Sequence, residues 1–313
     1  LISRKYDKYT KSFEIIILFF KIFRNLIKEG KRMPIRFAEN YPEIKAFLGF
    51  EVGKVLFSEK SPYQKIDILE TYFFGKVLLL DDMIMFTEKD EFVYHEMIAH
   101  VPLFIHPEPK RILIIGGGDG GTVRECLKHP EVQKIDLIEI DQRVTQACLK
   151  HTPYLSEKLF SEQVNCIFQD AVEFVKQTKN QYDIIIIDST DPINIGEGLF
   201  TSEFYRNCFK LLLADGILVA QSESPIWLPN LIKRIASKLK KVFPNVHFYQ
   251  ANISTYPSGY WSFALASKKY HPIKDFKQKS YMDLNLPLKY YNSDLHSAAF
   301  TLPSFFRELL NEA

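Results

Sequence analysis

Cysteine is sparse in this chain of 313 residues: Cys126, Cys148, Cys166 and Cys208 are scattered, and no two form a CxxC pair. That spacing gives no support to a structural zinc site; each lies in an apolar helix or strand and reads as a core thiol of a reducing, cytoplasmic compartment. Long apolar runs are also missing. The stretch Ile15–Phe20 has six apolar residues, where a bilayer needs roughly 20. A longer apolar core with a small-residue cleavage site, as a signal peptide requires, is not visible there either. No stable membrane insertion is expected. An excess of one charge is lacking too, with 40 Lys/Arg against 38 Asp/Glu. Residues 1–32 hold nine of those bases and three of the acids, which leaves the remainder at −4. A body of that charge argues against nucleic acid as a partner. Glycine is scarce at 13 residues, yet five of the 13 fall within 116–121.

That cluster organises the rest. In RILIIGGGDGG (Arg111–Gly121), a buried strand runs into Gly116, Gly117, Gly118, Gly120 and Gly121. Helical spacing resumes at Thr122–Lys128, so the stretch reads as strand, tight turn and helix, the opening of a nucleotide-binding βαβ unit. Further strands are expected at Ile135–Ile138, Val164–Phe168, Ile184–Ile187, Ile217–Ala220, Val246–Ala251 and Trp261–Ala266. Helices are expected at Gln142–Lys150, Ala171–Gln177, Ser202–Leu213 and Leu228–Val242, giving an α/β, doubly wound, seven-stranded sheet. Only the loop Asn252–Tyr260 joins the last two strands. They should form an antiparallel hairpin, which suggests a Rossmann-like, methyltransferase-type fold. Residues 33–86 read as a small N-terminal β domain, with strands at Val52–Ser58, Gln64–Glu70 and Lys76–Leu80 and a hairpin turn at Gly75. Residues 87–109 read as a linker that bridges through Phe86–Glu91 into a helix at Phe92–Val101. That helix should bury Phe92, Met97 and Val101 and be ended by Pro102. Residues 110–313 read as the large α/β domain, followed by a tail with one short final helix. Residues 1–32 read as a basic, apolar extension, disordered or weakly packed. A surface-docking helix and a true start at Met33 are the other readings of that stretch.

Four strands end in acids, at Asp119, Glu139 and Asp141, Asp170, and Asp188 and Asp191. Ligands of open α/β sheets sit beyond the carboxyl ends of the strands, so these acids should ring one crevice. They favour a polar or cationic ligand over phosphate. Asp119 should attract an ammonium. Glu139 can accept both ribose hydroxyls, and Asp170 can accept an adenine amino group or cap the next helix. Asp188 and Asp191 flank Ser189 and Thr190 in a turn, where paired carboxylates raise at least one pKa and suit a general base. A paired-acid metal site is the competing reading of that motif. Tyr94 and His95 on the linker helix, Gln221 at the end of the fifth strand and Tyr256 on the hairpin loop can complete the walls. Rings for methylenes and acids for charged ends suit a flexible alkyl diamine.

Five segments resemble the spermidine synthases, a polyamine aminopropyltransferase family: TEKDEFVYHEM (Thr87–Met97), IGGGDGG (Ile115–Gly121), IDSTDP (Ile187–Pro192), TYPSG (Thr255–Gly259) and KYYNSDLHSAAF (Lys289–Phe300). The resemblance implies homodimers or tetramers and no cofactor or metal. It implies transfer of an aminopropyl group from decarboxylated S-adenosylmethionine, a co-substrate, to putrescine, giving spermidine and 5′-methylthioadenosine. Carried over by position, Asp188 is the catalytic base, assisted by Tyr94 and the Ser189 backbone. Gln64, His95, Gly116, Gly117, Gly118, Asp119, Gly120, Glu139, Asp170 and Ala171 hold the donor. Glu39, Tyr94, Asp191, Gln221 and Tyr256 hold the acceptor. Two positions depart from the family pattern: Arg36 stands where a tryptophan is usual, and Asp82 where LDG is usual. Both bear on the acceptor, so agmatine, cadaverine, spermidine or norspermidine are alternatives to putrescine. Methyl transfer from intact S-adenosylmethionine and an inactive binding protein are the rival functions.

Overall fold

The computed structural model describes residues 35–42, 44–190 and 194–313. The expected extension at 1–32 and the acid Asp191 lie outside the described residues. The first sheet has five antiparallel strands in chain order: β1 (Ile35–Tyr41), β2 (Ala46–Lys60), β3 (Lys65–Thr71), β4 (Lys76–Leu80) and β5 (Met83–Thr87). Three of these depart from the sequence reading: β1, where no strand is expected, pairs with β2 from Ile35↔Val52 to Tyr41↔Ala46. β2 extends well beyond Val52–Ser58, carried by register shifts at Val52/Lys54 and Val55/Phe57. β5 lies where no strand is expected and reaches into the start of the Phe86–Glu91 bridge; it forms because Asp81 and Asp82 take φ of 49° and 62° and turn the chain back. Two left-handed residues make the tight hairpin whose twist matches its strands, and Asp tolerates that conformation. The Asp81 carboxylate also accepts from Lys65 N–H at 2.8 Å. Asp82 in place of glycine is therefore accommodated. Gly75 turns the preceding hairpin at φ 68°, as expected.

Helix α1 (Glu91–Leu103) links the two sheets, and every residue but Phe92 is buried. It continues through Pro102, one residue past the expected stop. Phe92, expected to be buried with Met97 and Val101, is only partly so: it packs against the edge of the core with the Lys289 ammonium 5.2 Å from its ring centroid. The second sheet comprises β6 (Arg111–Gly116), β7 (Lys134–Glu139), β8 (Val164–Phe168), β9 (Tyr182–Asp188), β10 (Leu212–Glu223), β11 (Asn245–Asn252) and β12 (Tyr260–Ser267), in spatial order β11-β12-β10-β9-β6-β7-β8. β6 to β10 are parallel; β12 runs antiparallel to both neighbours. The fold is the expected Rossmann-like one, with the small β domain attached.

Flanking helices include α2 (Gly121–Cys126), α3 (Gln142–His151), α4 (Pro153–Ser156), α5 (Ala171–Gln177), α6 (Ser202–Leu211) and α7 (Pro229–Lys240). The tail carries three helices rather than one: α8 (Gln278–Leu284), α9 (Ser293–Ala299) and α10 (Ser304–Asn311). Ile184, Ile185, Ile186 and Ile187 each have 0% exposure. Each burial contributes about 1.5–3 kcal/mol, which anchors the central strand whose end carries Asp188. Cys126, Cys148 and Cys208 are buried free thiols, whereas Cys166, on edge strand β8, is only half-buried. Among the described residues no helix is long and apolar enough to cross a membrane.

Candidate active site

The chain leaves β6 in one direction to form β7 and β8, and returns to the other side to form β9 and β10. The carboxyl ends of β6 and β9 therefore mark the switch point where such sheets bind ligands. A cleft of about 920 Å³, its open mouth included, lies there. Gly116 pairs with Asp188 across the strand ends. The glycines are demanded by the protein's own groups. A Cβ on Gly116 would sit 2.1 Å from the Asp188 carbonyl oxygen, on Gly117 2.7 Å from Asp188 Oδ2, and on Gly118 2.6 Å from Glu139 Oε2. On Gly121 it would enter the His95 ring, at 2.3 Å from Cε1. Gly120 faces Ser156 and Leu155 on α4 and precedes α2 with φ 91°. It does not line the cleft.

Each acid is gripped in a defined way. Asp188 Oδ1 accepts from Tyr94 O–H at 2.7 Å and Oδ2 from Thr122 O–H at 2.6 Å. Glu139 Oε2 accepts from Gly118 N–H at 3.2 Å and Oε1 from Asp141 N–H at 2.8 Å. A carboxylate offers about four lone-pair positions, so two remain for a ligand. Asp141 in turn accepts from Ser61 O–H at 2.6 Å and Gln64 Nε2–H at 3.2 Å. It also caps α3 through Arg143 N–H. The β2–β3 turn of the small sheet is thereby tied to Glu139. Asp119 Oδ1 accepts from Gly121 N–H at 2.8 Å and lies 3.3 Å from His95 Nε2. The other ring nitrogen, Nδ1, is 2.6 Å from Glu91 Oε2.

Electrostatics follow from that packing. Burial opposes a charge on His95, but Asp119 and Glu91 outweigh it and push the imidazolium up to about 10. Burial likewise opposes ionisation of Asp119, and the His95 cation outweighs it, holding the carboxyl below its ordinary value. Asp188 moves the other way: burial and the Asp119 charge raise it against the pull of His95. Burial raises Glu139 to about 7, with the Asp141 N–H opposing and the Asp141 and Asp119 charges adding. The hydroxyl of Tyr94 is raised well above its usual value by burial and by Asp188, so it stays a donor. His95, Asp119 and Asp188 bring one atom each within 4.8 Å of one another. Both His95 nitrogens face carboxylates, so the charged ring has no lone pair for a metal.

Of the residues singled out in the sequence, Gln64, Tyr94, His95, Gly116, Gly117, Gly118, Asp119, Glu139, Asp170, Ala171, Asp188, Ser189 and Tyr256 line the cleft. Asp170 is exposed at the cleft and caps α5 through Val172 N–H at 2.7 Å, which is the helix-capping reading of this residue. Glu39 and Gln221 lie in an adjoining recess of about 390 Å³, which shares Tyr94, Ser189 and Tyr256 with the cleft. There Glu39 accepts from Tyr41 O–H at 2.5 Å and Ile84 N–H at 3.1 Å. The Gln221 carbonyl, expected to face an ammonium, accepts from Glu223 N–H at 3.2 Å, and its amide donates to Ser189 O at 3.3 Å. Tyr256 donates to the Met85 carbonyl. Arg36, at the start of β1, pairs with Glu51 at 3.3 Å. Thr122, Glu91, Arg124 and Ser61 were not singled out. The Glu91/His95 spacing of four on a helix was the available signal.

A seven-stranded sheet of this order, with an antiparallel hairpin at one edge and a carboxylate-lined cleft at its switch point, places the chain among the Rossmann-like transferase folds. Residues 91–278 match the model of the spermine/spermidine synthase domain, and residues 37–88 that of the spermidine synthase tetramerisation domain. The polyamine aminopropyltransferase of Alkaliphilus metalliredigens is 52% identical over 83% of this chain and 93% of its own length. That of Clostridioides difficile is 47% identical over 90% and 100%. A crystal structure of spermidine synthase in complex with the transition state analogue AdoDATO is 42% identical, with a TM-score of 0.87, covering 91% of this chain and all of that one. Spermidine synthase from Thermotoga maritima is 42% identical with a TM-score of 0.86, covering 90% and 96%. The chain belongs to the spermidine synthase family of polyamine aminopropyltransferases. Its activity is therefore aminopropyl transfer, with a polyamine as the class of acceptor.

Proposed function

We propose that this chain is a spermidine synthase, transferring the aminopropyl group of decarboxylated S-adenosylmethionine to putrescine. One observation carries the reading: Asp119, held ionised by His95, and Asp188, held by Tyr94 and Thr122, share one cleft beside an acid-ended recess. On this reading the nucleoside lies over the glycine turn between Leu78, Ile138 and Val144. The free lone pairs of Glu139 take the ribose hydroxyls, and Asp170 takes the adenine amino group. Asp119 takes the donor's ammonium and would repel the carboxylate of intact S-adenosylmethionine, which disfavours methyl transfer. The diamine lies in the recess with its far end toward Glu39, between the rings of Tyr94 and Tyr256.

The reaction forms one N–C bond and breaks one C–S bond. The near amine loses a proton to Asp188, or to water with Asp188 holding the nitrogen in place. The nitrogen lone pair attacks the methylene beside the sulfonium in line. The C–S electron pair leaves with sulfur as a neutral thioether. The sulfonium is already a good leaving group, so alignment and fixed charge supply most of the acceleration. The deciding experiment gives the purified protein decarboxylated S-adenosylmethionine and a panel of putrescine, cadaverine, agmatine, norspermidine and spermidine. The expected product is spermidine from putrescine, separated by mass. Preferential use of another amine would reassign the acceptor, and methylated product from intact S-adenosylmethionine would overturn the reading. The same reading takes the five-stranded sheet, with Ile35 exposed on β1 and Phe47 and Val55 on β2, as the face that assembles dimers into tetramers.

Ribose binding at Glu139 makes donor affinity depend on pH. Glu139, raised by burial, carries its proton below about pH 7. Two ribose hydroxyls need the ionised form as acceptor, so binding at lower pH must first expel that proton. Methylthioadenosine affinity should fall by up to ~10-fold per pH unit below 7. Calorimetry between pH 5.5 and 8 checks this. Glu139→Gln should bind weakly at every pH and lose the slope; a flat wild-type profile contradicts the assignment.

A further inference from the structure

His95 stands at one end of a buried chain of alternating charges. Arg124 on α2 grips Glu91 with both terminal nitrogens, Nη1 to Oε1 at 3.1 Å and Nη2 to Oε2 at 2.9 Å. Glu91 meets His95 Nδ1, and His95 Nε2 meets Asp119. On its other side Arg124 Nε donates to Glu125 at 2.8 Å, and Glu125 is also held by Lys128 at 2.6 Å and His100 at 2.9 Å. Glu91, His95 and Glu125 are exposed by 5%, 2% and 1%. The ring seat is equally constrained, since any side chain on Gly121 would occupy the space of the His95 ring. Glu91 and Arg124 do not line the cleft. Glu91 reaches it through His95, and the Arg124 charge also bears on Asp119 directly.

We propose that Glu91, clamped by Arg124, is a positioning residue for aminopropyl transfer: it fixes the His95 ring so that Asp119 stays anionic and in place to receive the donor's ammonium. The inference rests on the reading of Asp119 given above. Its physical basis is that an imidazolium between two carboxylates has one low-energy orientation. Without Glu91 the ring is free to turn or lose its proton, and Asp119 loses its fixed counter-ion. The other groups facing this pair are Tyr94, whose ring meets His95 edge-on at 5.5 Å, and Asp188, whose charge couples to Asp119. Neither contacts the second ring nitrogen.

The test separates the tail of the donor from its nucleoside. Methylthioadenosine lacks the aminopropyl group, so its binding should not depend on Asp119. For Glu91→Gln, calorimetry without acceptor should show decarboxylated S-adenosylmethionine weakened by ~10- to 100-fold, with methylthioadenosine within about twofold of wild type. Arg124→Lys keeps the charge but loses the two-pronged grip, and should give a smaller loss of the same kind. Equal weakening of both ligands in the two variants would mean a structural role and overturn the proposal. So would unchanged donor binding in them while Asp119→Asn weakens it. If Asp119→Asn itself leaves donor binding unaltered, the reading of Asp119 fails first.

Discussion

Replacing Asp188 with asparagine is expected to lower turnover by ~10²–10⁴ and leave donor affinity nearly untouched. The change is close to isosteric. Asparagine keeps one oxygen to accept from Tyr94 or Thr122, and the other hydroxyl can rotate to accept from the new amide, so the strand end should hold its shape. What disappears is the charge. A carboxylate raised by burial and by Asp119 is poised to take or share a proton, whereas an amide is not. Tyr94 cannot substitute, because its own proton is held firmly. Single-turnover product formation from decarboxylated S-adenosylmethionine and putrescine, beside calorimetry of decarboxylated S-adenosylmethionine without acceptor, measures both halves of the prediction. Near-normal turnover would remove Asp188 from the chemistry.

The largest effect on stability should come from Gly116→Ala. Its φ of 81° costs a substituted residue about 1–2 kcal/mol by itself. The new methyl would also stand 2.1 Å from a backbone oxygen of β9, and the central strand pair cannot yield without shifting Asp188. Overpacking of this kind costs a further ~1–3 kcal/mol. A total on the order of 3 kcal/mol should lower the melting temperature by ~10 °C. Gly259→Ala is the matched control: φ is 67°, but the nearest atom to a Cβ is 3.6 Å away. It should show the conformational cost alone. If the two variants melt together, crowding between β6 and β9 is not what selects glycine at 116.

Much of this arrangement is readable before any coordinates. Apolar runs such as Ile184–Ile187 announce central parallel strands, and the glycine cluster with acids at successive strand ends locates the cleft. What stays hidden is the set of groups that hold those acids. Thr122 is one residue past the glycines and looks like an ordinary helix-opening threonine, yet it supplies half the grip on Asp188. Arg124 and Glu91 are 33 residues apart and meet only because α1 and α2 pack side by side. Strand β5 was hidden for a local reason: two consecutive aspartates in the left-handed region carry no glycine signal. The glycines also do something the sequence does not announce: their bareness makes room for Asp188, Glu139 and His95.

The bond from Ser61 to Asp141, and from Asp141 onward to Glu139, has a consequence for how the protein can be divided. The smaller sheet is more than a platform for assembly, since its β2–β3 turn braces the carboxylate beneath the glycine turn. Trimming the chain to the larger sheet would leave Asp141 without its Ser61 and Gln64 partners, and Glu139 without a steady neighbour. Such a fragment would also bare Val144, Ala147, Cys148 and Leu155, which share one apolar cluster with Ile66, Ile68, Leu78 and Leu80 of the smaller sheet. Both sheets therefore set the Glu139 carboxylate, and a change confined to the β2–β3 turn would be felt at the cleft.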